Sequence, residues 1–543
     1  MICKRVASTL TCIVVLAAVV CGTALTACGT AAPPVQTPTA PAATTVPPTP
    51  TSETTPTSAP EVEQSLVLAM ELGPRMLDSN DQAQWSMLVY RLMYDPLVRA
   101  DATGALVPAL AESWEAVDAT TWRFHLRQGV TFHNGEPFDA ESVKWTVEFS
   151  LDPDNNRMAL SGRGVRDIQR VEVVDDYTVD LITAAPSALV PTYLVYVDML
   201  PAQYYTEVGS DAFNEAPVGT GMFKHVDSRI DEYILLEANE AYWGGAPTLK
   251  EVEIRFIPEA SARVAALRAG EVNMVDRVAP EQAETLEQEG LVVVPMVIGQ
   301  SLVFHFGRET QRLEPLQDVR VRQALNHAID LDSIAEDLTL GWARKLQGQL
   351  AGPSTVGYNP DVTAFAYDPD KAKDLLAEAG YADGFTVPLK CTQGRYFMDK
   401  EVCEVVAAQL AAVGVTAEVE LLEPSVFAER FMSNTLDEGG LWTLAPNTFP
   451  AMDVAISYPG YTSDHPFKFW ANEEFDELFA QQAQTLDPEE RLPILQRMAE
   501  ILKEEAIGIW IYEIPIGWAM DTHVQGVSLG PDGSIDLSQA YMQ

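Results

Sequence analysis

Residues 121–127 read Thr-Trp-Arg-Phe-His-Leu-Arg, so Trp122, Phe124 and Leu126 alternate with Arg123, His125 and Arg127. A period of two places the three apolar side chains on one face and predicts a strand with one dry side. Asp118-Ala119-Thr120 is a polar turn joining it to a strand over 113–117. Asn134-Gly135 marks a second turn, because both residues tolerate positive φ. Asp139 then stands at a helix N-cap position, with Glu141 and Ser142 in the first turn. Elsewhere the period lengthens to that of a helix. Trp85, Leu88, Val89 and Leu92 form a stripe after the polar loop 77–84, and a helix over 260–269 ends at Gly270. Apolar runs of strand length cover 63–68, 291–298, 302–306 and 507–514, the middle two split by Gly299-Gln300.

From residue 302 onward helix and strand alternate. Asp368-Pro369-Asp370 opens a helix whose stripe is Ala372, Leu375, Leu376 and Ala379, and Gly380 closes it. A strand over 386–389, a helix over 400–412 ending before Gly414, and a strand over 416–421 follow. That order implies parallel strands with a right-handed crossover, hence an α/β lobe over about 302–503. Ligands of open α/β sheets lie beyond the carboxyl ends of strands. Two segments meet that description, residues 391–396 (Cys-Thr-Gln-Gly-Arg-Tyr) and 441–445 (Leu-Trp-Thr-Leu-Ala).

The first residues follow an export plan. Lys4 and Arg5 precede an apolar run over 13–20 that is too short to span a bilayer comfortably. Leu25-Thr26-Ala27-Cys28 looks like a lipobox, so 1–27 is read as a lipoprotein signal peptide and Cys28 as the acylated residue; an ordinary secretory signal with an incidental Cys28 is the alternative. Residues 28–61 are nearly all Thr, Pro, Ala and Ser, a composition that buries too little apolar surface to fold and serves as a semi-rigid tether. The chain has 35 basic and 78 acidic residues; losing Lys4 and Arg5 with the leader leaves 33 against 78, a formal charge of −45. Nucleic acid and anionic lipid are poor partners for such a charge. The seven histidines are scattered without HExxH or metal spacing, so neither a metal nor a cofactor is expected. Cys391 and Cys403 remain in the folded body, able to pair in an oxidising compartment or to stay as two separate buried thiols.

"PALAESWE", "TWRFHLRQGVTFHNG" and "PFDAESVKW" within 108–151, "PVGTGMFK" at 217–224, "NEAYWGGAPTLKEVEIRFI" at 239–257 and "ALRAGEVNMVD" at 266–276 occur in that order. Together they resemble the family 5 extracellular solute-binding proteins of ABC importers, the dipeptide- and oligopeptide-binding protein family, from about residue 62 to the end. The resemblance implies a bilobed α/β clamshell. Lobe I would be 62–301, enlarged by a subdomain at about 101–210 and completed by the return of 504–543; lobe II would be 302–503. Two crossings between lobes make a hinge. The "PVGTGMFK" glycines are not a phosphate loop, since GxxxxGK[ST] is absent.

The resemblance also implies site residues. Arg395 matches an arginine that takes a peptide carboxylate, with a surface arginine capping a helix neighbourhood as the alternative. Tyr396 either stacks on ligand or packs on the next helix. Asp81 and Gln82 fall in a loop that borders the cleft, where Asp also serves as a helix cap. Trp442 and Thr443 follow the family's Gly-Trp position, but Leu441 replaces the glycine and Ala445 stands where peptide-binding members carry an aspartate for the ligand's ammonium. An ammonium buried without a carboxylate is disfavoured by several kcal/mol.

The expected function is therefore a monomeric, lipid-anchored receptor on the outer face of the cytoplasmic membrane. It would capture a peptide or peptide-like solute between its lobes and deliver it to an ABC permease and ATPase complex, with no bond made or broken. Rival readings are the same role for an oligosaccharide or acidic metabolite, a signalling receptor without a permease, and a secreted hydrolase. The last lacks GxSxG and any Ser, His and Asp set in recognisable context.

Overall fold

A computed structural model describes residues 62–79, 87–152, 155, 165–306, 313–433, 440–465 and 470–543. Cys28, Asp81 and Gln82 lie outside the described residues, as do all of residues 1–61, for which a leader and a tether are expected. Among the described residues no helix is long and apolar enough to cross a membrane.

One mixed sheet of eleven strands runs through the protein. Its spatial order is Val415–Leu422, Phe385–Thr392, Leu441–Leu444, Val292–Phe306, Gly508–Met520, Met274–Val275, Ser65–Met70, Glu251–Phe256, Tyr233–Ala238 and Phe223–Arg229, with Arg344–Lys345 pairing off this path with Gly508–Met520. Phe385–Thr392 and Val415–Leu422 pair in parallel across the helix Asp399–Ala412, the crossover expected from the sequence. A separate antiparallel sheet has the order Ala111–Asp118, Thr121–Leu126, Thr178–Thr183 and Ile168–Asp175. There the predicted dry face is observed, since Trp122, Phe124 and Leu126 are all buried. The helix Ala140–Leu151 is capped by Asp139, whose carboxylate accepts the Ser142 N–H at 3.0 Å.

Two long strands, Val292–Phe306 and Gly508–Met520, pair antiparallel and carry the chain between the two halves of the large sheet. The sequence suggested a break at Gly299-Gln300 and an end at residue 514. The backbone stays extended through both. The ladder shifts register between Val297 and Ser301, and the displaced groups find partners far away in sequence. The Gly299 N–H donates to the Pro531 carbonyl at 3.0 Å, the Gly299 carbonyl accepts the Thr448 N–H at 2.7 Å, and Ser301 N–H donates to the Pro446 carbonyl at 3.0 Å. These backbone groups are answered without a turn. Gly517 is needed for close approach: a Cβ at that position would lie 2.4 Å from the Val278 carbonyl and 2.3 Å from the Trp342 ring.

Candidate functional site

The site grows from the end of the strand Phe385–Thr392. Asp399 opens the following helix and is 2 % exposed. Its Oδ2 accepts the Thr392 hydroxyl at 2.7 Å and the N–H groups of Arg395 and Tyr396 at 3.1 Å each, while Oδ1 accepts the Gly394 N–H at 2.9 Å. A buried carboxylate satisfied by several N–H donors fixes the loop wrapped around it. A disulfide between Cys391 and Cys403, with a Cα–Cα distance of 6.4 Å, ties the same strand end to the same helix. Gly394, at φ 77°, makes the left-handed step in this loop.

The loop presents Arg395 outward. Its guanidinium lies 5.3 Å from the centroid of the half-buried Tyr396 ring. Burial pushes the Tyr396 hydroxyl up from its ordinary pKa, opposed by Arg395 and by the Ala445 N–H that donates to it. These residues line a cavity of about 330 Å³ shared by both halves of the protein. From the first half come Glu71, Arg263, Arg277 and Glu281; from the crossing strands come Ile298, Gln300 and residues 514–517.

The first-half wall is internally paired. Arg263, 1 % exposed, donates to the Ile257 and Pro258 carbonyls at 2.7 and 2.9 Å and pairs with Asp276 at 3.2 Å. Asp276 accepts the Glu71 N–H at 2.9 Å, and Arg277 pairs with the Glu71 carboxylate at 2.9 Å. Burial pushes the Asp276 carboxyl up to about 6, against the opposing pull of Arg277 and Arg263.

The second predicted segment has a different placement. Trp442, 4 % exposed, packs with its ring centroid 5.3 Å from Phe431 and 6.5 Å from Phe427. Thr443 is fully buried, and its hydroxyl accepts the Thr392 N–H at 3.1 Å. Neither residue lines the 330 Å³ cavity, whereas Arg395 and Tyr396 both do. Ala445 lies at its edge in contact with two lining residues: its N–H donates to Tyr396, and its carbonyl accepts Gln300 Nε2 at 3.3 Å. Asp453, the next acid along the chain, is 3 % exposed and held bidentately by Arg491 at 2.7 and 3.1 Å. It is already neutralised inside the second half. Sequence reasoning missed Asp399, Gln300, Glu71 and Arg277. Gln300 alone left a local trace, as a polar residue interrupting an apolar run.

Comparison with known proteins places this geometry. The family model for bacterial extracellular solute-binding proteins, family 5 Middle, matches residues 105–462. A glutathione-binding protein of Pectobacterium atrosepticum is 27% identical over 486 residues, covering 85% of this chain and 90% of its own. Heme-binding protein A of Haemophilus influenzae is 28% identical over 458 residues, covering 78% and 82%. Among solved structures, the ABC transporter-associated periplasmic binding protein DppA from Helicobacter pylori, in complex with the peptide STSA, superposes with a TM-score of 0.71 at 25% identity, over 88% of this chain and 98% of its own. The fold is thus the bilobed one of periplasmic binding proteins, and the relatives are binding proteins rather than enzymes. With two halves joined by a pair of crossing strands around a shared cavity, and a family model matching most of the chain, this protein belongs to the bacterial extracellular solute-binding proteins, family 5.

Proposed function

We propose that this chain is an exported, lipid-anchored and monomeric receptor of an ABC importer, which captures a peptide or peptide-like solute and hands it to a membrane permease and its ATPase. The observation that carries the reading is Arg395. Among the described residues its guanidinium has no carboxylate partner, and it faces a cavity walled by both halves of the protein. A planar cation so placed matches a ligand carboxylate with two parallel hydrogen bonds. Tyr396 beside it offers a ring face and a hydroxyl. The peptide complex of the Helicobacter pylori relative and the glutathione-binding relative support a peptide-like cargo.

On this reading lobe I comprises 62–301 and 504–543, lobe II comprises 302–503, and the hinge lies where the two long strands lose register between Val297 and Ser301. Closure follows from contacts that a ligand makes with both lobes at once. Cys28 anchors the exported protein through the 28–61 tether. Native mass spectrometry of the purified protein, with identification of any co-purified molecule, tests the receptor role; a solute recovered chemically altered would count against it. Arg395→Ala should weaken binding of that solute tenfold or more, and unchanged affinity removes Arg395 from the site. Cys28→Ala should release the protein from the membrane fraction.

A second reading, a solute other than an ordinary peptide, is favoured by Ala445. Peptide-binding members hold an ammonium there with an aspartate, and here Asp453 is engaged by Arg491.

A further inference from the structure

Gln300 lies on the strand Val292–Phe306 where the ladder shifts register, and it is 4 % exposed. Its amide orientation is set by its neighbour: Nε2 donates to the Ala445 carbonyl, and the reverse orientation would face oxygen with oxygen. That leaves Oε1 as the far end of the amide, buried and without a hydrogen-bond partner. An unanswered buried acceptor is disfavoured and is relieved when a donor arrives. Gln300 and Tyr396 both line the cavity, and Ala445 bridges them through its carbonyl and its N–H. This corner is polar, and the charge beside it is the Arg395 guanidinium over the Tyr396 ring.

The acids of the cavity lie elsewhere. Among the described residues two acids line it, Glu71 and Glu281. Glu71 is paired with Arg277 at 2.9 Å. Glu281 is exposed at the start of the helix Pro280–Gln288, where water screens any ion pair. The buried acids around it are committed, Asp399 to the Arg395 loop, Asp453 to Arg491, and Glu513, which faces Ser301 across the ladder, to Arg344. A primary ammonium brought into the Gln300 corner would be desolvated with no carboxylate among the described residues to meet it.

We infer that Gln300, with Tyr396 and Ala445, is a specificity-determining corner that selects an anionic solute whose nitrogen is acylated: a carboxylate for Arg395 and a neutral N–H for Gln300 Oε1, with no free ammonium group. The inference rests on the receptor reading above and narrows its cargo to N-blocked peptides and acyl amino acids.

The test is isothermal titration of the purified protein with Ala-Ala and with N-acetyl-Ala-Ala, in wild type and in Gln300→Glu, Gln300→Ala and Glu281→Gln variants. In wild type the acetylated dipeptide should bind at least tenfold more tightly than the free one. Gln300→Glu should invert that preference by supplying the missing carboxylate. Gln300→Ala should weaken the acetylated ligand about tenfold. Glu281→Gln should leave the ratio unchanged. The wild-type comparison stands even where a variant fails to fold. Equal affinities, a preference for Ala-Ala, no binding of either dipeptide, or a ratio set by Glu281 would overturn the inference. A co-purified solute bearing a free ammonium group would also overturn it while leaving the receptor role intact, whereas a solute that the protein chemically alters removes the receptor role itself.

Discussion

Asp399 is where stability and binding should fail together. Asp399→Ala removes an acceptor shared by the Thr392 hydroxyl and the N–H groups of Gly394, Arg395, Tyr396 and the exposed Lys400. Gly394 and Arg395 are exposed and can turn to water, so their loss is small. Thr392 is fully buried and Tyr396 half-buried. Leaving those two donors unanswered is worth about 1–3 kcal/mol each, and a net loss of about 3 kcal/mol is expected. For a cooperative unit of 150–250 residues, about 2–4 °C per kcal/mol puts the midpoint about 6–12 °C lower. Asn retains one oxygen; aimed like Oδ2 it keeps three of the five bonds and loses those to Gly394 and to the exposed Lys400, so about 1 kcal/mol. Differential scanning fluorimetry on both variants reads the order, and titration with the co-purified solute reads the effect on the Arg395 loop, expected as about tenfold weaker binding for Ala and little change for Asn. An Asp399→Ala midpoint within about 2 °C of wild type would refute the view that this carboxylate organises the loop.

Replacing Cys391 and Cys403 together by Ala opens a link spanning 12 residues, which loop-closure entropy values at about 3 kcal/mol; a thermal midpoint unchanged within error would show that the hydrogen bonds to Asp399 suffice. Gly517→Ala drives a methyl into the Val278 carbonyl, an overpacking expected to lower stability by about 1–3 kcal/mol, read by urea denaturation. Asp276 sets a pH dependence. Its folded pKa of about 6 lies above the ordinary carboxyl value, so the folded protein holds a proton that the unfolded chain has released. Its contribution is fully present below about pH 4 and is lost as pH rises through 6. Asp276→Asn should therefore lose less stability than wild type between pH 4 and 6.5, and parallel curves for the two proteins would contradict the assignment.

Much of the fold was legible because its signals are local. The alternation at Trp122, Phe124 and Leu126 and the caps at Asp139 and Asp368 need only neighbours in sequence, and the structure shows the buried face and both capping bonds. The crossing strands were cut short, one divided at Gly299-Gln300 and the other ended at residue 514, because the apolar run is interrupted there. The partners that keep the backbone extended, Pro446, Thr448 and Pro531, lie more than a hundred residues away. The cysteine pairing stayed open for the same reason, since the approach of two Cα atoms is set by tertiary packing. Arg395 and Tyr396 could be named from a motif, but Asp399, which aims them, looks in sequence like any first-turn acid of a helix.

The division of labour in the cavity follows from what each wall has left to offer. Glu71, Arg277 and Arg263 on the first half are engaged with one another or with Asp276, so a ligand gains little by touching their charges. Apart from Gln300 and the exposed Glu281, what that side and the crossing strands still present is apolar: Pro258, Ala260, Val278, Ala279, Pro280 and Ile516. Moving a two-state clamshell from mostly open to mostly closed takes about 5.5 kcal/mol of differential affinity. At about 25 cal/mol per Å² this is about 220 Å² of apolar surface newly covered on closure. Arg395 contributes nothing to that difference if a ligand already reaches it in the open form. On the proposed reading, charge recognition on the second half decides which solutes stay, and the apolar body of the solute against the first half decides whether the protein closes. A carboxylate too small to cover that area, such as acetate, should occupy Arg395 without closing the protein, and small-angle scattering showing full compaction with acetate would refute this separation.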